Sequence, residues 1–165
     1  MSEANEQVLT MQELREAVEQ SLTPLHELKG IKREQLEAVY ALAHDYYRTG
    51  NYEKAETLFR FLTLFDHFSE KYWMAYGAVE QVLKKWDAAI AAYGMVCMTF
   101  DVHNVKAAFY AAQCHLGRGD RENALSALEH VKTFAEPETE TGREFLAKAE
   151  TLRAQILANG AKQEG

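Results

Sequence analysis

The side chains best suited to catalysis or metal binding are scattered along this 165-residue sequence. Six histidines and two cysteines could act as metal ligands, general bases or nucleophiles, but none lies at a convincing ligand spacing from another such residue. The phosphate-binding patterns GxxxxGK[ST] and GxGxxG and the zinc pattern HExxH do not occur. Cys97 and Cys114 lie in apolar stretches, where buried thiols are expected. We therefore predict no enzyme, no catalytic residue, no metal site and no cofactor.

The charge of the chain argues against two classes of partner. The formal net charge is −7, so nucleic acid and anionic membrane surfaces should repel the protein. Basic pairs such as Lys84-Lys85 are too short to form a compensating patch. No apolar run reaches the roughly 18 residues that span a bilayer, and the first residues lack the basic-then-apolar layout of a secretory signal. We expect a cytoplasmic protein that binds neither nucleic acid nor a membrane directly.

The helices that would position binding residues repeat along the chain. Ala55, Ala89 and Ala124 are separated by 34 and 35 residues, and each follows a turn. Small residues recur upstream of them, at Ala43, Gly77 and Ala112. A period of about 34 residues with paired helices is typical of the tetratricopeptide repeat, a fold that usually binds peptides on its concave surface.

This period predicts an all-α protein in which three tetratricopeptide repeats form a short solenoid. The repeats occupy residues 34–134, at approximately 34–67, 68–102 and 103–136. Residues 1–33 are predicted to be an N-terminal arm with a disordered start and short helices, residues 138–159 a C-terminal capping helix, and residues 160–165 a disordered tail. Small residues should meet where the helices of a repeat cross. Larger ones should fill the space between neighbouring repeats: Leu42, Tyr46, Phe59 and Leu62.

The N-terminal arm carries an apolar stripe at helical spacing. Leu14, Val18 and Leu22 follow a capping-box sequence that begins at Thr10. The stripe could pack on the first repeat or on a second copy of the chain, and composition does not distinguish these alternatives.

Three stretches of the repeats carry a more specific pattern: residues 46–55 followed by 64–67, residues 86–94, and residues 111–116. These stretches resemble the class II chaperones of bacterial type III secretion systems, which escort hydrophobic translocator proteins. The resemblance implies a cytoplasmic chaperone that keeps one or two translocators soluble and unassociated before export, with an extended cargo segment in the concave groove. It also implies a homodimer formed through the arm, and so favours Leu14, Val18 and Leu22 as dimer contacts.

The groove can be placed on the sequence because the first helix of each pair lines the inner surface of such a solenoid. Side chains off the packing stripe of those helices should form an aromatic groove with polar edges, which suits an extended peptide with spaced apolar anchors. The predicted peptide-binding residues are Tyr40, His44, Tyr47, Met74, Ala78, Gln81, Lys106, Phe109, Tyr110 and Gln113. A core role stays an open alternative for Met74 and Tyr110.

A second hypothesis is an adaptor or co-chaperone scaffold that binds the acidic tail of a partner. That class needs a carboxylate clamp, with a lysine and an asparagine in the first repeat and two basic residues in the third. Tyr40 and His44 occupy the first two of these positions. Lys106 and Tyr110 occupy the others, so only Lys106 fits and charge-assisted capture of a carboxylate is poorly supported.

Overall fold

The computed structural model describes residues 23–161, with side chains as far as Asn159, and every secondary-structure element in this range is a helix. A short helix, α1 (Leu25–Leu28), precedes three helix pairs. The pairs are α2 (Arg33–Arg48) with α3 (Tyr52–Phe65), α4 (Glu70–Val82) with α5 (Trp86–Thr99), and α6 (Val105–Gly117) with α7 (Arg121–Phe134). The chain ends in α8 (Glu140–Ala161). The predicted all-α architecture is confirmed, whereas the predicted dimer contacts Leu14, Val18 and Leu22 lie outside the described residues.

From α2 onward each helix packs on the next along the chain, α1 packs on α3, and α8 packs on both α7 and α6. Successive helices run in opposite directions because short turns join them. The three first helices, α2, α4 and α6, therefore lie side by side and form one face of the stack. This arrangement brings residues about 34 positions apart in sequence next to each other on that face.

Small residues let the helices of a pair cross closely, as predicted. Ala43, Ala55 and Ala89 are fully buried, and so are Ala112 and Ala124. The expectation for Leu42 is wrong, because 48% of this residue is exposed. The neighbouring Ala43 takes the buried position, and Phe59 and Leu62 fill the interior as expected.

Both ends of the described stack are tied to the repeats. The His26 side chain is buried, and its Nδ1 lies 3.1 Å from the Phe65 carbonyl oxygen, which fixes α1 at the end of α3. At the other end Phe145, Ala149 and Ile156 of α8 are buried in one apolar cluster with the third repeat. None of the helices in the described range is both long and apolar enough to cross a membrane.

Candidate peptide-binding groove

The concave face of the stack contains a cavity of about 1260 Å³. It extends from Pro24, before α1, across α2 and α4 to α6. Nine of the ten predicted peptide-binding residues line it: Tyr40, His44, Tyr47, Met74, Ala78, Gln81, Lys106, Tyr110 and Gln113. They come from the same turns of the three first helices, because the sequence period places equivalent residues side by side. We call this cavity the groove.

The tenth predicted residue, Phe109, does not line the groove. It is only 5% exposed and packs in the apolar cluster formed with α8, its ring centroid 5.5 Å from that of Phe145. The prediction that Phe109 lines the groove is therefore wrong, and the residue instead borders a smaller cavity between α6 and α8. The physical reason is the last helix, which covers the side of α6 on which Phe109 lies.

Aromatic side chains form the first-repeat wall of the groove. The Tyr40 ring packs 5.9 Å from Phe59 and 5.6 Å from Tyr72, centroid to centroid. The Tyr47 ring meets Tyr52 edge-on at 5.5 Å, and burial raises the pKa of the Tyr47 hydroxyl. These contacts fix the rings in place while His44, between them on α2, is exposed. The wall thus offers a preformed apolar surface with polar edges.

Several groove residues were not predicted because they come from outside the first helices. Phe59, Trp86 and Tyr93 belong to the second helices and reach the groove between the first ones. Gly77 is the sequence signal that could have found Tyr93. A Cβ atom at position 77 would lie 2.7 Å from the Tyr93 ring, so glycine leaves the space through which this tyrosine passes.

A hydrogen-bonded chain crosses the floor of the groove between the second and third repeats. The Tyr93 hydroxyl donates to Gln81 Oε1 at 3.0 Å, and Gln81 Nε2 donates to Gln113 Oε1 at 3.0 Å. Burial raises the pKa of Tyr93 far above its usual range, so the hydroxyl keeps its proton and acts as the donor. The chain holds two groove-lining amides in fixed orientations.

The cations of the groove differ in their partners. Lys71 Nζ lies 2.7 Å from Glu37 Oε1, and this hydrogen bond is the main reason why the pKa of Glu37 is lowered. Lys106 occupies in the third repeat the position that Lys71 occupies in the second. The second-repeat residue equivalent to Glu37 is Lys71 itself, so the preceding repeat offers Lys106 a lysine instead of a carboxylate. Among the described residues Lys106 therefore forms no ion pair. Of the three cations that line the groove, Lys71 is already neutralised, whereas Arg33 and Lys106 form no ion pair among the described residues.

The arrangement is suited to binding an extended chain. In the described part of the chain, no three histidine, cysteine or acidic side chains gather in a way that could hold a metal ion. Cys97 is partly buried, Cys114 is buried, and burial raises the pKa of the Cys114 thiol to about 12. What the groove offers is a long apolar surface, rigid rings and a few oriented donors, which can hold an extended segment of another chain.

Comparison with known proteins agrees with this geometry. Residues 36–67 match the family TPR_3, described as Tetratricopeptide repeat. Chaperone protein SicA of Salmonella typhimurium is 30% identical over 149 residues, which are 90% of this chain and 88% of SicA. Low calcium response locus protein H of Yersinia pestis is 31% identical over 113 residues, 68% of this chain and 67% of that protein.

Solved structures with the same fold include two secretion chaperones. The type III secretion translocator chaperone SycD of Yersinia enterocolitica superimposes with a TM-score of 0.72 at 26% identity, over 81% of this chain and 98% of SycD. PcrH, solved in complex with the chaperone binding region of PopD, gives a TM-score of 0.72 at 27% identity, over 79% of this chain and 97% of PcrH. Together with the sequence relatives, they show that this chain belongs to the class II translocator-chaperone family of type III secretion systems, which are non-enzymatic proteins built on tetratricopeptide repeats.

Proposed function

We propose that this protein is a cytoplasmic chaperone that holds one or two hydrophobic type III translocators in a soluble, unassociated form before export. An extended segment of the cargo lies in the groove and places apolar side chains against its aromatic wall. The peptide-binding residues are the nine predicted residues that line the groove. A homodimer formed through Leu14, Val18 and Leu22 is part of the proposal, and SycD has been solved in an alternative dimer.

The observation that carries the proposal is the groove itself. A cavity of about 1260 Å³ is lined by aromatic and aliphatic side chains on a face that the rest of the described chain leaves open. Contiguous apolar surface of this kind is costly to expose to water and usually marks a binding site. The relatives support the choice of ligand, since PcrH was solved with the chaperone binding region of PopD and SycD with a peptide of the translocator YopD.

The adaptor hypothesis finds less support in the groove. A carboxylate clamp would need several unpaired donors converging on one point, but Lys71 is already bound by Glu37. Tyr40 stands where the clamp has its lysine, and it is an uncharged side chain whose ring packs against Phe59 and Tyr72. Lys106 is the one clamp-like residue, and a single exposed lysine contributes little binding energy.

Co-expression with the hydrophobic translocators of the same organism tests the proposal. The wild-type protein should keep a translocator in the soluble fraction that is otherwise insoluble. The variant Ala78→Glu should lose this ability by at least about tenfold, because it places a charge in the middle of the apolar groove. Ala78 lines the groove and is only partly buried, so the larger side chain can extend into open space without entering the core.

The matched control is Ala91→Glu, the same exchange at an exposed position of α5 outside the groove. Both variants should keep the helix content of the wild type. If Ala78→Glu solubilises the cargo as well as Ala91→Glu does, the groove is not the cargo site. If the wild-type protein solubilises no translocator and instead binds an acidic tail peptide, the adaptor hypothesis replaces the chaperone.

A further inference from the structure

The hydrogen-bonded chain on the groove floor has one open end. Tyr93 is held between two neighbours: its ring fills the space left by Gly77 and stacks on Tyr110 with a centroid distance of 5.6 Å. Its hydroxyl fixes Gln81, and Gln81 in turn occupies the amide oxygen of Gln113. Gln113 Nε2 has no hydrogen-bond partner among the described residues, and it is not one of their buried unsatisfied atoms.

The direction of these hydrogen bonds, from Tyr93 to Gln81 to Gln113, determines what Gln113 can bind. An amide side chain has one acceptor oxygen and an NH₂ group with two donors. One of the two lone pairs of the Gln113 oxygen already accepts from Gln81, whereas neither N–H is used among the described residues, so the amide offers a ligand chiefly its donors. Gln113 therefore presents N–H to the groove and is suited to a carbonyl oxygen.

The position of Gln113 makes this donor central to the bound segment. The residue lines the groove and also a smaller cavity of about 500 Å³, whose far side is formed by Ala147, Lys148 and Leu152 of α8. A segment that runs along the groove and continues toward α8 passes Gln113 where the two cavities meet. Its main-chain carbonyl groups leave water there and need donors in exchange.

We propose that the Gln113 amide donates a hydrogen bond to a main-chain carbonyl of the bound cargo segment, and that Gly77, Tyr93 and Gln81 act as positioning residues for that donor. The inference rests on the proposed function and adds how the groove recognises backbone as well as apolar side chains. A main-chain contact of this kind fixes the register of the segment without depending on its sequence. It therefore suits a chaperone with more than one cargo.

The test measures the affinity of overlapping 15-residue peptides that cover the translocators of the same organism. Gln113→Glu keeps the shape of the side chain but replaces the donor with a carboxylate, so the best wild-type peptide should bind at least about tenfold more weakly. Tyr93→Phe keeps the ring and removes the hydroxyl, and it should weaken binding about three- to tenfold. Asn159→Asp, the same kind of exchange at an exposed position of α8, is the matched control and should bind as the wild type does.

A double-mutant cycle separates positioning from a general loss of structure. Once Gln113→Ala has removed the donor, adding Tyr93→Phe should cause little further loss of affinity. A second cycle uses a peptide in which one main-chain amide is replaced by an ester, which weakens one carbonyl acceptor. That peptide should lose affinity for the wild type but not for Gln113→Ala.

The inference is overturned if Gln113→Glu binds the peptides as tightly as Asn159→Asp does. It is also overturned if the losses from Tyr93→Phe and Gln113→Ala simply add. In either case the wild-type protein still binds peptide, so the proposed function stands. A wild-type protein that binds no translocator peptide and no intact translocator overturns the proposed function and this inference together.

Discussion

At the scale of single residues, Glu80 is notable because its carboxyl group is buried and has an oxygen without a hydrogen-bond partner among the described residues. The residue is 1% exposed, and the oxygen in question is Oε2. Burial raises the pKa of Glu80, a hydrogen bond with Tyr76 opposes this, and the charge of Glu56 adds to the increase. Burial and the same hydrogen bond raise the pKa of Tyr76 to about 12. The folded protein therefore holds the Glu80 proton more tightly than the unfolded chain does.

A pH-dependent stability follows from the raised pKa of Glu80. The contribution of Glu80 to the free energy of unfolding is fully present below the ordinary carboxyl pKa. It is lost as the pH rises through the higher pKa that Glu80 has in the folded protein. Glu80→Gln carries no ionisable proton, so its thermal midpoint should match that of the wild type in mild acid and exceed it at pH 8. Thermal unfolding followed by circular dichroism at a series of pH values measures this difference.

The control for that prediction is Glu150→Gln, the same exchange at an exposed position of α8. Its pH profile should run parallel to that of the wild type. A Glu80→Gln variant that is destabilised more strongly at pH 8 than in mild acid would show instead that the side chain is needed as an ionised acceptor for Tyr76.

At the scale of elements, the three turns within the helix pairs share one geometry but not one residue type. Gly50, Lys84 and Gly119 have φ angles of 80°, 57° and 84°. A main-chain hydrogen bond between residues five positions apart closes each of them, for example from Lys85 N to the Glu80 carbonyl oxygen at 2.9 Å. The second repeat therefore places lysine in the left-handed region, where a side chain with a Cβ atom costs roughly 1–2 kcal/mol relative to glycine.

Lys84→Gly should consequently stabilise the protein. Relief of the left-handed strain outweighs the entropy that glycine adds to the unfolded chain, and we expect a net gain of about 0.5–1 kcal/mol. The converse exchange, Gly50→Ala, should cost about 1 kcal/mol, although no atom lies within 4 Å of the added Cβ. Urea unfolding at an unchanged m-value measures both. A lower midpoint for Lys84→Gly would mean that the Lys84 side chain makes a stabilising contact that outweighs its backbone strain.

The repeat period explains which parts of the groove could be predicted from the sequence. Residues such as Tyr40 and Met74 were found because one period relates them and because the first helices always face inward. Phe109 occupies the equivalent position, yet α8 covers it, and periodicity alone does not reveal what packs after the last repeat. Tyr93 was missed for the opposite reason, since it reaches the groove from a second helix through the space at Gly77. The sequence thus predicts the groove residues that recur with the repeat period. Phe109 is predicted wrongly and Tyr93 is missed because their contacts differ from those of the equivalent residues in other repeats.

At the scale of the whole molecule, the described stack behaves as a one-dimensional array in which each helix pair packs on the next and α8 packs on the last pair. In such arrays the terminal unit needs a cover for its apolar side, and the cost of removing that cover falls first on the adjacent repeat. Here α8 supplies the cover for α6 and α7, with Phe145 lying 5.5 Å from Phe109 and 5.9 Å from Tyr110 in centroid distance. Tyr110 also lines the groove, so the cover supports the third-repeat end of the binding surface.

Removal of α8 by truncation after Ala135 should therefore destabilise the third-repeat end of the groove much more than the first-repeat end. We expect the free energy of unfolding to fall by at least about 3 kcal/mol, which is the usual cost of removing one buried phenylalanine side chain. Amide hydrogen exchange should accelerate most in α6 and α7 and least in α2 and α3, because among the described helices α8 packs on α6 and α7 and makes no extensive contact with the first repeat. Peptide affinity should fall although Tyr40 and Tyr47 are intact. Truncation after Ala161 is the control and should change none of these quantities, whereas exchange that accelerates equally in all three helix pairs would show that the stack unfolds as one cooperative unit.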